Sequence, residues 1–165
     1  MPAANVTSAC LDGEVTSLPE PERIVSASRD VAATAEEIFE LIADPSQQPR
    51  WDGNDNLSEA PAGQRIRAVG DVFAMTTTKG LVRHNHVVEF VEGRRIAWLP
   101  AEPGQPAPGH MWRWELAPIN SSHTRVTHTY DWTNLTDQKR LPRAQSTTAD
   151  KLKASLDRLA TLAER

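Results

Sequence analysis

A chain of 165 residues with 39% hydrophobic and 24% charged residues suits one globular domain with a sizeable core, and is neither a disordered polymer nor a membrane-embedded one. Its formal net charge of −4, with no run of Lys or Arg, argues against nucleic acid or an anionic lipid surface as the main partner. The single cysteine, Cys10, rules out an intramolecular disulfide and any Cys-x-x-Cys metal or redox site.

Residues 1–22 are small, polar and broken by Pro19 and Pro21, so they read as a disordered or loosely attached leader before a domain over 23–165. The segment lacks the basic start and apolar core of a secretion signal, and no apolar run approaches the roughly 18 residues that span a bilayer. The expected location is the cytoplasm, without stable membrane insertion.

Structure is expected to begin at 23-RIVSASRDVAA-33, a weakly apolar strand in which Val25 and Ala27 alternate with Ser26 and Ser28. In 34-TAEEIFELIAD-44, Thr34 and Glu37 have capping-box spacing, and Ile38, Leu41 and Ile42 form an apolar stripe at helical period. Asp44-Pro45 ends that helix and can start another, which Pro49 keeps short.

From Leu57 to Trp132 the pattern is that of strands: 71–79, 81–92, 95–100, 110–119 and 123–133 are rich in β-branched and aromatic residues. Turns of a few residues, such as Lys79-Gly80 and Glu92-Gly93, make the neighbours antiparallel. The Pro-rich stretch 100-PAEPGQPAPG-109 is a long irregular connection, either a lid or a rigidified connector. The tail 145–165 reads as a helix, with Ala149, Leu152, Leu156, Leu159 and Ala163 on one stripe. That stripe has to pack on the sheet, which would curl around it.

Three pieces of sequence resemble the START-like superfamily, also called SRPBCC or helix-grip proteins, and within it the polyketide cyclase/dehydrase and lipid-transport group. They are 38-IFELIADPSQQPRWDG-53, the strand 93-GRRIAWLP-100, and 112-WRWELAPINSSHTRVTHTYDW-132. The resemblance covers residues 23 to 165. It implies an α+β helix-grip fold, with two short helices after the first strand and a curved antiparallel sheet of about seven strands wrapped around a long C-terminal helix. It also implies a cavity between sheet and helix, suited to one hydrophobic or aromatic small molecule. The superfamily includes carriers and enzymes and shares no catalytic set, so none is transferred.

Strand parity nominates the cavity wall. In 82-VRHNHVVEF-90, Val82, His84, His86, Val88 and Phe90 share a face without formal charge, expected to point inward. The same reasoning groups His110, Trp112, Trp114 and Leu116 on one strand, and Val126, His128, Tyr130 and Trp132 on another. The expected ligand-binding set is therefore His84, His86, Val88, Phe90, Trp98, His110, Trp112, Trp114, His128 and Tyr130. Each also has a plain structural reading as a core histidine or packing aromatic. Trp51 is expected to plug one end of the sheet, with gating of the cavity mouth as the alternative.

The His-x-His pair has usable metal-ligand spacing, but no acidic residue shares its face, so neither metal nor cofactor is expected. The expected function is binding, transport or sequestration of a hydrophobic molecule, by a monomer or homodimer. The enzymatic alternative is a cofactor-independent cyclase, aromatase or dehydratase with His84, His86 or His128 as base and Tyr130 as acid. A further alternative is a non-catalytic regulatory or interaction module whose cavity is collapsed.

Overall fold

The computed structural model describes residues 22–164, so the expected leader lies, save for Glu22, outside the described residues. Strand β1 (Ile24–Val31) leads into helix α1 (Ala35–Ala43). The capping box forms as its spacing predicts: Glu37 N–H donates to Thr34 Oγ1 (3.2 Å) and Thr34 N–H to Glu37 Oε1 (3.1 Å). Ile38, Phe39 and Ile42 form the buried stripe of α1. Asp44 then accepts from Ser46 N–H (3.1 Å) to cap a 3-10 turn over Pro45–Gln47, and α2 (Gln48–Trp51) follows as one turn.

The remaining strands are β2 (Leu57–Glu59), β3 (Val72–Thr77), β4 (Val82–Val91), β5 (Arg95–Ala101), β6 (Met111–Asn120) and β7 (His123–Asp131). They form one antiparallel seven-stranded sheet in the order β1-β7-β6-β5-β4-β3-β2, so the first strand joins the last at one edge. The curved sheet wraps around α4 (Ala149–Ala163), whose Leu152, Leu156 and Leu159 are fully buried. This is the helix-grip fold. None of the described helices is long and apolar enough to cross a membrane.

Two expectations are corrected. The tail is not one helix from Gln145: α3 (Leu141–Gln145) and α4 are separate, and Ala149 is exposed. Between them the Ser146 and Thr147 hydroxyls donate to the Arg143 carbonyl (2.7 and 3.2 Å), taking an acceptor that a continuing helix would use.

The second correction is the facing of β4. Val87 pairs with Trp98 but Glu89 pairs with Ala97, so Val88 is an extra residue in a β-bulge. Because side chains alternate with period two, one inserted residue reverses the facing of everything on its far side. Phe90 does point inward and packs edge-on against Phe39, with ring centroids 5.7 Å apart. Before the bulge, the inward residues are Arg83, Asn85 and Val87, while His84, His86 and Val88 lie on the outer face beside exposed Val72 and Val82.

Candidate functional site

A cavity of about 540 Å³ lies under the inner face of β3–β7, roofed by α2, α3 and the first turn of α4. Its back wall follows from register. Trp98, Trp112 and Tyr130 are directly paired across β5, β6 and β7, so three aromatic side chains stand in one cross-strand row. Trp112 and Tyr130 are in contact, with centroids 4.4 Å apart. The next row holds Ile96, Trp114 and His128.

Of the expected residues, Trp98, His110, Trp112, His128 and Tyr130 line the cavity. Trp114 sits behind them, fully buried, stacked on His128 at 3.7 Å and edge-on to Trp51 at 5.0 Å. Phe90 belongs to the solid core, and His84, His86 and Val88 do not reach the space. Trp51 is buried in the core cluster, edge-on to Trp114, as a structural residue. Its indole N–H is fixed to the Leu41 carbonyl (2.8 Å), and it also lines the cavity. Only Pro100 of the Pro-rich stretch 100–109 lines the cavity. The loop is tied down by the Glu102–Arg140 ion pair (3.0 Å), and Gly109, at φ +122°, lies so close to Asn134 that a Cβ would fall 2.2 Å from its carbonyl oxygen.

Parity on β4 hid two lining residues, Arg83 and Asn85, which flank His84. The signal was present in the opposite phase of the same strand. Asp52, Asn54 and Asn56 were also missed, because 52-DGNDN-56 reads as a turn. It is a turn, but one folded around a buried carboxylate: Asp52 accepts from the backbone N–H of Asn54 and of Asn56, both at 3.1 Å. Desolvation raises its pKa, and those donors oppose the rise. Arg140 and Arg143, which complete the rim, come from a segment with no periodic signal.

Burial shifts the pKa values of His128, His110 and Tyr130 away from neutral pH, each in the direction that keeps the side chain uncharged. His128 Nδ1 lies 3.1 Å from the Arg113 carbonyl, which can only accept, so Nδ1 carries the proton and Nε2 keeps a lone pair. Burial pushes its pKa down to about 3 against the pull of that bond. His110 falls to about 4, through burial first and then the charges of Arg140, Arg143 and Arg83; its buried Nδ1 has no hydrogen-bond partner. Burial lifts Tyr130 to about 12. At neutral pH the interior therefore offers a lone pair, an unpaired ring nitrogen and a phenolic hydroxyl, all uncharged. Among the described residues no three His, Cys, Asp or Glu side chains converge as a metal set.

The family model of polyketide cyclase/dehydrase and lipid-transport proteins matches residues 22–164. The chain belongs to that family. This family member is 29% identical over 119 residues to an uncharacterized protein of Mycobacterium tuberculosis, a match covering 66% of the chain and 47% of the relative, about half its length. A START superfamily protein from Mycobacterium smegmatis superposes with a TM-score of 0.62 at 17% identity, over 87% of this chain and 98% of that one. The Aha1 dimer from Colwellia psychrerythraea gives 0.59 at 18% identity, over 86% and 96%. At such identities the two structures share the fold with this family member and nothing finer.

Proposed function

We propose that the chain binds one hydrophobic or aromatic small molecule inside the cavity, as a carrier or sequestering protein. The carrying observation is an open space of about 540 Å³ walled by the Trp98–Trp112–Tyr130 row. That volume falls within the roughly 300–1,000 Å³ typical of small-molecule sites, and apolar walls with a few convergent polar groups are their usual chemistry. The same space speaks against the module with a collapsed interior.

Binding is favoured over acid–base catalysis by the protonation states. A general base works best with a pKa near the working pH. His128 at about 3 and His110 at about 4 are poor bases, and Tyr130 at about 12 is a poor acid. These groups instead suit fixed hydrogen bonds to an uncharged hydroxyl or carbonyl of the ligand. The cyclase or dehydratase reading keeps one supporting observation, the free Nε2 lone pair of His128 near Tyr130 on the cavity wall. His84 and His86, on the outer face, drop out of that reading.

The test is intrinsic tryptophan fluorescence titrated with dodecanol and phenylnaphthylamine, alongside native mass spectrometry of the purified chain. The expected result is saturable binding that Trp112→Ala weakens by about tenfold or more, with the circular dichroism spectrum unchanged. Absence of any response in the native protein defeats the reading. Turnover of an aromatic polyketide chain, abolished by His128→Gln with binding retained, would replace it with the enzymatic one.

A further inference from the structure

The mouth of the cavity has a character that the sequence as a whole does not announce. Lys79, Arg83, Arg140, Arg143 and Lys151 line it, against a single acidic side chain, Asp52, in a protein whose formal net charge is −4. Elsewhere Arg29, Arg65, Arg95, Arg113, Arg125 and Arg158 each hold a carboxylate partner, some with both oxygens. At the mouth Arg140 does so too, with Glu102 and Asp137.

Arg23, Arg50, Arg67, Arg83, Arg94 and Arg143 have no ion pair among the described residues, and of these Arg83 and Arg143 line the cavity. Arg83 donates only to the carbonyl of its neighbour Val82 (3.2 Å). Arg143 reaches a neutral acceptor. With the Asn56 amide turned so that its nitrogen donates to Asp52 Oδ2 (3.0 Å), its oxygen accepts from Arg143 Nη2 (2.6 Å). Arg140 and Arg143 are close enough that their charges act on Arg83, where Glu102 partly offsets them, and on Tyr130 deeper in the cavity, while all three guanidiniums act on His110. Like charges gathered at a half-buried rim repel one another, and an anion placed between them removes that repulsion while using their planar donor forks. Lys79 and Lys151, also without ion pairs among the described residues, add long-range attraction.

We propose that the natural occupant is an anionic amphiphile. Its anionic oxygen head group lies at the mouth between Arg83 and Arg143, and its single apolar body runs inward along Trp98, Trp112 and Tyr130. The proposal rests on the cavity-binding reading and adds the charge and the direction in which the ligand lies. Carboxylate and phosphate-ester heads share this chemistry.

Two probes with the same apolar body, anilinonaphthalene sulfonate and phenylnaphthylamine, differ only in carrying or lacking the anion. On the full chain the sulfonate is expected to bind about tenfold or more tightly than the neutral probe at low ionic strength, and salt should narrow the gap. Arg83→Gln and Arg143→Gln are each expected to reduce the preference, and together to bring it to about twofold or less. Displacement of the sulfonate by dodecanoate, dodecyl phosphate and dodecanol separates the sources: dodecanol should be weakest, and the stronger of the two anions identifies the head group.

Equal affinities for the two probes in the native protein, or a preference unmoved by salt and by both substitutions, overturns the anionic proposal while the cavity reading stands. If neither probe binds, both fall. The salt series on the native chain decides the matter even if a variant misfolds.

Discussion

The inner face of the sheet has a solid end and a hollow end. At the solid end α1 supplies Ile38, Phe39 and Ile42, which meet Phe90, Ile96, Trp114, Leu156 and Leu159 in one cluster. At the hollow end the covering segment is the 3-10 turn over Gln138–Arg140 together with α3, and it presents Arg140, Arg143, Ala144 and Thr147. The sheet beneath keeps an aromatic wall at the hollow end, Trp98, Trp112 and Tyr130, but adds polar Arg83, Asn85, His110 and His128 there. The cavity follows the change in cover: long apolar side chains sit over one half, while small and charged ones sit over the other. Charged side chains cannot be pressed dry against an aromatic wall without a partner, so the space beneath them stays open.

The largest test of this contrast compares two truncations. Leu156→Ala leaves a void in the solid end and should destabilise by about 3–5 kcal/mol in urea unfolding. Met75→Ala at the cavity wall, although Met75 is only 2% exposed, should fall near the low end of such changes, about 2 kcal/mol, because it enlarges an existing space. Equal losses would mean that the hollow end is packed like the other.

Gly53 ties the two ends together. A Cβ there would lie 2.6 Å from both Lys151 O and Ser155 N, backbone atoms that cannot swing aside, and its own N–H donates to Ser155 Oγ (2.7 Å). Gly53→Ala is expected to cost about 1–3 kcal/mol by pushing α4 off the loop after α2. Both segments roof the cavity, so the affinity for phenylnaphthylamine should drop in the same variant. Stability loss without loss of affinity would uncouple them.

Acid should act on the hollow end first. His128 and His110 have folded-state pKa values of about 3 and about 4, below the ordinary 6.5, so the unfolded chain takes up protons that the folded one refuses. Their contribution is full above pH 6.5 and is lost as pH falls towards those values, at a slope approaching about 1.4 kcal/mol per pH unit for each. Asp52, with its pKa raised by burial, works in the opposite direction and lower, around the carboxylate range. Urea midpoints at pH 7 and pH 5 measure the slope, and His128→Gln should remove about half of it. An unchanged slope would place the imidazole in water.

The sequence displayed its organisation unevenly, for physical reasons. The Thr34/Glu37 cap, the stripe of α1 and the facing of β6 and β7 were legible because local geometry dictates them. The aromatic row followed once neighbouring strands were paired. The anionic-ligand rim was not legible: Arg140 and Arg143 lie in a segment without period, and their convergence with Arg83 is a tertiary fact. The bulge at Val88 was also silent, because nothing in 86-HVVEF-90 marks which residue is the extra one.

That bulge yields the smallest expected effect and the sharpest check on β4. Its two halves obey opposite parity, so the histidine pair that looked most like a site belongs to the outer face, where His86 pairs with exposed Val72. His84→Ala with His86→Ala should change stability by no more than about 0.5 kcal/mol, the range of ordinary surface substitutions. Neither probe's affinity should move. Asn85→Ala, one residue away and only 5% exposed on the cavity side, should weaken binding. If instead the double histidine variant loses the ligand and Asn85→Ala keeps it, the bulge is misplaced and the strand runs in the opposite phase.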